Sequence, residues 1–519
     1  MRDGALLQAV ELVLLDPVVW VVVIASAFYG VFMGATPGLS ATMAVALLVP
    51  VVYFMDPVPS FAALTTLTAA AMFAGDIPAA LLRIPGTPAS AALTDDAYGL
   101  TRRGDGDRVL AVCLTGGVVG GLFGTILLIL FAPFLANVAA RTFSVVEYFW
   151  LYLIGLSCAV IVSRDSMLRG LLGLVIGLLL GSIGLSAVHA EARLTFGRPE
   201  LYQGINFIPA MIGLFGASEI LRNLFAPSLA EDRPVDVAVQ SGESTGRVSR
   251  MAALAGTHGL RRGASFLFGR PWQLLRSSTV GSLIGMLPGA GADIASWVSV
   301  AVSKRFSKTP EEYGRQSMEG VADGATAKNA ALAGAWIPAL VFAIPGDSIT
   351  AIVIGVLLMK NITPGPDIFT RQAPILYAIY LLFILANLVL IIAGVVAIRT
   401  AGLIQRVPRR VLLPLVLLFC ITGAYSINGS YFDVAVMGLM GLLGFALERR
   451  DVPTGPVVLG ILLGVPLEER FIQTLSSAEG NFLVFFSRPV AAGLGITAIA
   501  LWAMPLVLWA RSRFRSARV

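Results

Sequence analysis

The stretch Pro17-Val-Val-Trp-Val-Val-Val-Ile-Ala-Ser-Ala-Phe-Tyr-Gly30-Val-Phe-Met-Gly34-Ala-Thr-Pro37-Gly38 decides the class of fold. From Pro17 to Ala35 it holds no charged residue, so it is long and apolar enough to cross most of a ~30 Å hydrocarbon core as a helix. A Pro-Gly pair then ends it. Similar apolar runs fill 108–136, 144–163 and 375–398. Across all 519 residues the hydrophobic fraction is 57%, the charged fraction 13% and the mean hydropathy +0.83. A soluble protein carries about 25% charged residues. These values exclude a soluble enzyme, a disordered chain and a fibre. The runs lack the apolar–polar alternation of an outer-membrane barrel. The expectation is an all-α polytopic membrane protein embedded in a lipid bilayer, with about 10–14 transmembrane segments at ~20 residues each.

Polar residues set the organisation. Residues 226–272 are rich in Arg, Ser and Gly and are expected to form a polar linker on the cytoplasmic side, between membrane units at 1–225 and 273–519. The basic tail, with Arg511, Arg513, Arg515 and Arg518, is expected on the same side, which requires an even number of crossings between them. A net charge of +6 spread over loops is a topology signal and implies no nucleic-acid partner. Cys113, Cys158 and Cys420 stand singly in apolar runs and read as packing residues. Two glycine stripes, Gly116/Gly117/Gly120/Gly121/Gly124 and Gly170/Gly173/Gly177/Gly181/Gly184, read as close helix-packing faces. Glu147 and Glu219 read as helix-end caps or ion-pair partners, and His189 as a loop histidine; Trp20, Trp150, Trp272 and Trp509 fit an interfacial belt. The two histidines, and the lack of His/Cys clusters or hydrolase motifs, point to no metal, no cofactor and no catalytic residue.

The decisive stretch has a partner. Gly30-x-x-x-Gly34-x-x-Pro37-Gly38 recurs as Gly281-x-x-x-Gly285-x-x-Pro288-Gly289, 251 residues on. Ile77-Pro78 followed by Ile84-Pro85-Gly86 recurs as Ile337-Pro338 followed by Ile344-Pro345-Gly346, 260 residues on. Two ordered motifs with internal spacing kept imply two internal repeats. Proline removes a donor and clashes with the preceding turn, and glycine accepts backbone angles closed to other residues. Non-helical backbone at membrane depth is tolerated where it is buried in protein or lines a wet cavity. Broken helices at matching places in two halves mark a transporter's binding site, with helix N-termini facing an anion and freed carbonyls facing a cation. The loop 51–60 has no Lys or Arg, whereas its counterpart 303–328 has five, so the repeats are expected to be inverted.

These motifs resemble the large permease subunit of the tripartite tricarboxylate transporters, the TctA-type proteins. The matching segments are Gly30 to Pro50, Phe73 to Gly106, Gly281 to Ala301, Gly320 to Gly355 and Thr363-Pro364-Gly365-Pro366. The most recognisable are Ile84-Pro-Gly-Thr-Pro-Ala-Ser90 and Leu287-Pro-Gly-Ala-Gly-Ala292. The resemblance implies a secondary transporter of a bacterial inner membrane. Its expected partners are a small four-span membrane subunit and a periplasmic solute-binding protein. Its expected cargo is a small organic anion, a carboxylate, taken up with Na+ or H+ by alternating access. On this reading substrate sits between halves, against Pro37, Gly38, Pro85, Gly86, Pro288, Gly289, Pro345 and Gly346 and the side chains of Ser40, Thr87, Asn329, Ser348 and Thr350.

The chain also departs from the family pattern, carrying Asp76, Arg83, Asp293, Lys328 and Asp347 where neutral residues are usual. Charges in a membrane helix cost ~2.5–3.5 kcal/mol at its centre and are rarely idle. Arg83 and Lys328 are therefore candidate partners for a substrate carboxylate, and Asp76, Asp293 and Asp347 candidate coupling-ion residues. A structural alternative pairs Asp76 with Arg83. Three acids near the site oppose a tricarboxylate, so a stand-alone transporter of a non-tricarboxylate or zwitterionic solute is the alternative function, ahead of a membrane-embedded enzyme or a scaffold.

Overall fold

The computed structural model describes residues 2–161, 167–186, 191–225, 257–404 and 409–516. His189, Arg518 and residues 226–256 of the expected linker lie outside them. Helix α1 (Pro17–Ala35) starts where Asp16 accepts the Val18 amide at 2.8 Å and Pro17 fills the first position. After the Pro37-Gly38 turn, Ser40 caps α2 (Ala41–Tyr53). Then α3 (Pro57–Ala74) again opens on proline, and α4 (Asp76–Leu82) follows a break at Gly75. A 3₁₀ turn, Pro88–Leu93, leads towards α5 (Gly106–Thr142), α6 (Val145–Ile161) and α7 (Met167–Gly181). The short α8 is Ser218–Phe225. Part of the expected linker is itself ordered: α9 (Thr257–Phe268) lies on α5, with Gly263 against Ala111.

The second half runs through α10 (Pro271–Gly285), α11 (Gly291–Phe306), α12 (Met318–Phe342) and α13 (Ser348–Met359). It ends with α14 (Ala373–Ile404), α15 (Arg409–Asn428), α16 (Tyr431–Glu448), α17 (Thr454–Ser477) and α18 (Pro489–Ser516). Among the described residues, six helical segments are long and apolar enough to cross a membrane: Pro17–Ala35, Pro57–Leu82, Pro88–Thr142, Ala373–Ala401, Val411–Asn428 and Tyr431–Glu448. The other apolar helices are shorter; at 1.5 Å per residue α2 and α13 reach only about 20 Å, so each crosses part of the core and stops.

Outer helices show where lipid lies. Val18, Val21, Ile24 and Phe28 on α1, and Val411, Leu415 and Leu418 on α15, are exposed at three- and four-residue spacing. Such apolar stripes belong in hydrocarbon. At the centre the pattern reverses. α3 is buried on every face from Val58 to Ala74, and α12 from Gly320 to Phe342, although α12 carries Asp323, Lys328 and Asn329 among its buried residues.

Small residues bring these helices together. Gly30 and Gly34 of α1 sit on Leu67 and Ala71 of α3, and Gly281 and Gly285 of α10 sit on Ala327 and Ala331 of α12. Both sets keep the 251- and 260-residue offsets read in the sequence. The offset of 260 recurs in the helix ends. Arg83 (φ 60°) closes α4 with Ile84 N–H donating to Pro78 O, and Ala343 (φ 57°) closes α12 with Ile344 N–H donating to Pro338 O. These are left-handed caps, and in both the N–H of the cap residue itself, Arg83 or Ala343, makes the six-to-one hydrogen bond to the same proline carbonyl. Most of the glycine stripes pack as expected, Gly116, Gly120 and Gly124 against α12, and Gly173, Gly177 and Gly181 against Pro453 to Ile461, but Gly184 lies beyond α7 in a left-handed turn against Gly204. Trp150 departs from the interfacial reading: its indole N–H donates to Phe485 O at 2.8 Å in a buried aromatic cluster.

Candidate functional site

Five interrupted segments begin at one place. Ser40 caps α2, Thr87 caps the Pro88–Leu93 turn, Gly291 starts α11, Asp347 caps α13 and Thr454 starts α17, and all five residues line a cavity of about 510 Å³. Each cap has a local cause. The Ser40 hydroxyl accepts the Met43 amide at 3.1 Å. Thr87 Oγ1 accepts the Ser90 amide and pairs with the Ser90 hydroxyl at 2.8 Å. Asp347 forms a capping box, its carboxylate accepting Thr350 N–H at 2.8 Å while Thr350 Oγ1 accepts the Asp347 amide at 2.9 Å. Gly38 (φ 90°) and Gly289 (φ 80°) supply the left-handed turns ahead of α2 and α11. Gly38 O accepts from Asn223 Nδ2 at 3.3 Å, which fixes the first turn to α8. Converging N-termini leave N–H groups and a positive field at the cavity.

The charged lining runs the other way. It consists of Arg222, Asp293, Asp347, Glu448 and Asp451. Arg222 lies 2.5 Å from Glu219 and 3.8 Å from Glu448, and Asp451 is 3.0 Å from Arg169. The side chains of Arg222 and Asp451 are 56% and 63% exposed, whereas Thr87 is buried, so the cavity opens on the Arg222 side.

Of the residues singled out by sequence, Ser40, Thr87, Gly289, Asp293, Asp347 and Ser348 line this cavity. Pro37, Gly38, Pro85, Gly86, Pro288, Pro345, Gly346 and Thr350 shape the turns around it: Gly86 lies against Gly34 and Gly75, and Gly346 against Gly285 and Ala335. Three charged candidates stand elsewhere. Arg83 projects to the surface, where its Nε donates to Asp95 at 2.8 Å and its side chain is 63% exposed. Lys328 and Asp76 are wholly buried and paired at 2.5 Å, with Lys328 Nζ also donating to Met72 O at 2.7 Å and Ser90 Oγ at 3.1 Å. This corrects the suggested Asp76–Arg83 pair. The left-handed cap at Arg83 turns its side chain outward, and Asp76 instead meets a cation from the other half of the chain. Asn329 lies behind the cavity, against Gly117 of α5.

Sequence reading did not single out Arg222, Glu448, Asp451 or Thr454. The signal for the last three was a cluster of charges, Glu448-Arg-Arg-Asp451, closed by Pro453 between apolar runs, which reads equally well as an ordinary loop. At the opposite end of α2 and α13, Lys360 donates to Tyr53 O at 2.7 Å and also to Met55 O, tying the two C-termini together. Burial there holds its pKa below the usual lysine value, with Asp56 acting in the other direction. Glu147 accepts from Ser144 N–H at 2.8 Å and Arg488 at 3.0 Å, a helix-end cap and ion pair together.

A bundle whose broken helices converge on a partly open internal cavity defines a multi-pass membrane protein of the transporter class. The comparisons narrow this. The chain belongs to the Tripartite tricarboxylate transporter TctA family, whose model matches residues 20–459. An uncharacterized 52.8 kDa protein in the TAR-I ttuC' 3' region of Agrobacterium vitis is 34% identical over 481 residues, 92% of each chain. An uncharacterized protein in the TAR-II ttuC' 3' region of the same organism is 36% identical over 230 residues, 44% of this chain and 95% of that one. No solved structure matches the chain. The family is one of transporters rather than enzymes, and the chain is a membrane transporter component.

Proposed function

We propose that the chain is the permease subunit of a binding-protein-dependent secondary transporter that imports a small organic carboxylate across a bacterial inner membrane, by alternating access coupled to sodium or protons. A small four-span subunit and a periplasmic binding protein complete the system. The observation that carries this reading is the cavity of about 510 Å³ on which segments from both motif-bearing halves converge by their N-termini. Freed amides at such ends suit a carboxylate.

We read the matching contacts and caps as a duplicated architecture in inverted orientation. Two facts support inversion. α2 and α13 run from the cavity to the end tied by Lys360, a region with no other Lys or Arg between residues 51 and 60. α11 runs from the cavity to the end where Ser317 N–H meets Asp96 at 2.9 Å, among Arg102, Arg103, Lys304, Arg305 and Arg315. A basic end is the cytoplasmic end.

The test is uptake of radiolabelled mono-, di- and tricarboxylates into proteoliposomes, with the two expected partners and an imposed sodium or proton gradient. Gradient-dependent uptake supports the reading, and none under any gradient overturns it. The carboxylate-rich lining favours a second reading, a solute that also carries a positive group. Uptake of an amino acid or betaine in preference to every simple carboxylate would select it.

A further inference from the structure

Between α3, α5, α12 and α14 lies a small pocket of about 10 Å³, room for one small ion or water. Its polar lining consists of Thr65, Thr68, Asn329 and Asn387 with the indole of Trp336, all buried. Each of the first four side chains already gives a proton to a carbonyl one turn back. Thr65 Oγ1 donates to Phe61 O at 2.8 Å, and Thr68 Oγ1 donates to Leu64 O at 2.6 Å. Asn329 Nδ2 donates to Ala325 O at 3.0 Å, and Asn387 Nδ2 donates to Phe383 O at 2.8 Å. Those amide bonds also fix which end of each Asn faces the pocket, because a flipped amide would set oxygen against a carbonyl oxygen. Asn329 Oδ1 and Asn387 Oδ1 are left buried with no partner. An unmet buried acceptor is costly, so two in one place call for an occupant.

We infer that this pocket is a sodium site. Two unpartnered carbonyl oxygens and two hydroxyl oxygens whose protons are already given belong to its lining, a set of neutral oxygens that a small cation can bridge. The oxygens are neutral, and magnesium or calcium is held through carboxylates. The volume suits a small ion. Lys328, next in sequence to Asn329, does not oppose it, since Asp76 neutralises that ammonium. The site is made possible by glycine: Asn387 packs on Gly121, and Asn329 on Gly117, where any side chain on α5 would occupy the space. Asn329 also stands three residues after Thr326, and Thr68 four residues before Met72, a cavity-lining residue. The ion therefore ties the α3 break to α12 and α14. Its role as coupling ion rests on the transport reading; its binding does not.

The experiment is thermal unfolding of the full chain in detergent, titrated with NaCl, KCl or choline chloride at constant ionic strength. The expected result is a saturable rise of several °C with sodium, little with potassium and none with choline. Asn387→Ala and Thr65→Ala abolish the rise, Asn387→Asp keeps it or makes it appear at lower sodium, and the surface variant Arg83→Ala keeps it unchanged. A sodium response no larger than that of choline, or one that survives in Asn387→Ala, overturns the site and leaves the pocket to a resident water. If Asn387→Ala does not fold, Thr65→Ala and Asn387→Asp decide alone. Sodium binding without uptake under any gradient defeats the transport reading and leaves the site standing; uptake without a sodium response does the reverse.

Discussion

Removing the Lys328 ammonium while leaving Asp76 tests whether the two halves are held together by one buried pair. Both side chains are fully excluded from solvent, and Nζ has three oxygen partners: Asp76 Oδ1, Met72 O and Ser90 Oγ. Lys328→Met keeps the length and removes the charge. It strands a buried carboxylate, a change that costs about 3–5 kcal/mol. Unfolding entropy of ~2.1 cal/mol/K per residue gives about 1 kcal/mol per °C for a chain of 519 residues. The single variant should thus lose about 3–5 °C in thermal unfolding followed by tryptophan fluorescence. Asp76→Asn alone should lose a similar amount, because it strands the ammonium. The double variant should recover most of the loss, since an uncharged pair carries no desolvation penalty. Losses that simply add in the double variant would refute the coupling. A Lys328→Met protein as stable as the parent would refute the pair altogether.

Arg83→Ala should leave uptake unchanged and cost no more than ~1 kcal/mol, because its partner Asp95 is as exposed as itself; this is read by transport rate and melting temperature together. Gly121→Ala should destabilise by about 1–3 kcal/mol, since its methyl would overlap the Asn387 side chain; a melting curve unchanged from the parent would show that α5 and α14 are not this close. Asp347→Ala should cost about 0.5–2 kcal/mol by deleting the α13 cap and lower uptake more than the conservative Asp347→Asn, which still accepts the Thr350 amide; equal uptake by both would remove the cap from the transport cycle.

What the sequence carried was local chemistry. Pro37-Gly38 and Pro288-Gly289 break a helix whatever surrounds them, so the broken segments and the convergence of Ser40, Thr87 and Asp347 were legible. Left-handed glycines at 38 and 289 follow from the same backbone rules, whereas the left-handed caps at Arg83 and Ala343 fall on residues that disfavour that conformation and were not legible. Partner choice was not legible. Asp76 lies seven residues from Arg83 and 252 from Lys328, and only the packing of α12 on α3 decides between them. Nor does any spacing bring Thr454, at the start of α17, beside Asp347. The sodium pocket escaped for the same reason: Asn387 stands alone in an apolar run of α14 and reads as a minor polar interruption until Gly121 is placed beneath it.

On the proposed transport reading, two fields in the main cavity bear on the charge of the cargo. Four helices of twelve residues or more begin there, α2, α11, α13 and α17. At about half an elementary charge per N-terminus they contribute roughly +2. Against them stand the carboxylates of the lining: Glu448 and Asp451 have arginine partners in Arg222 and Arg169, and Arg222 is shared with Glu219. A carboxylate cargo then finds its attraction in the N-termini, and each further negative charge it carries meets the acidic lining in a space of low dielectric. A trianion is the least favoured cargo on this reading, and an anion of low charge or a zwitterion the most.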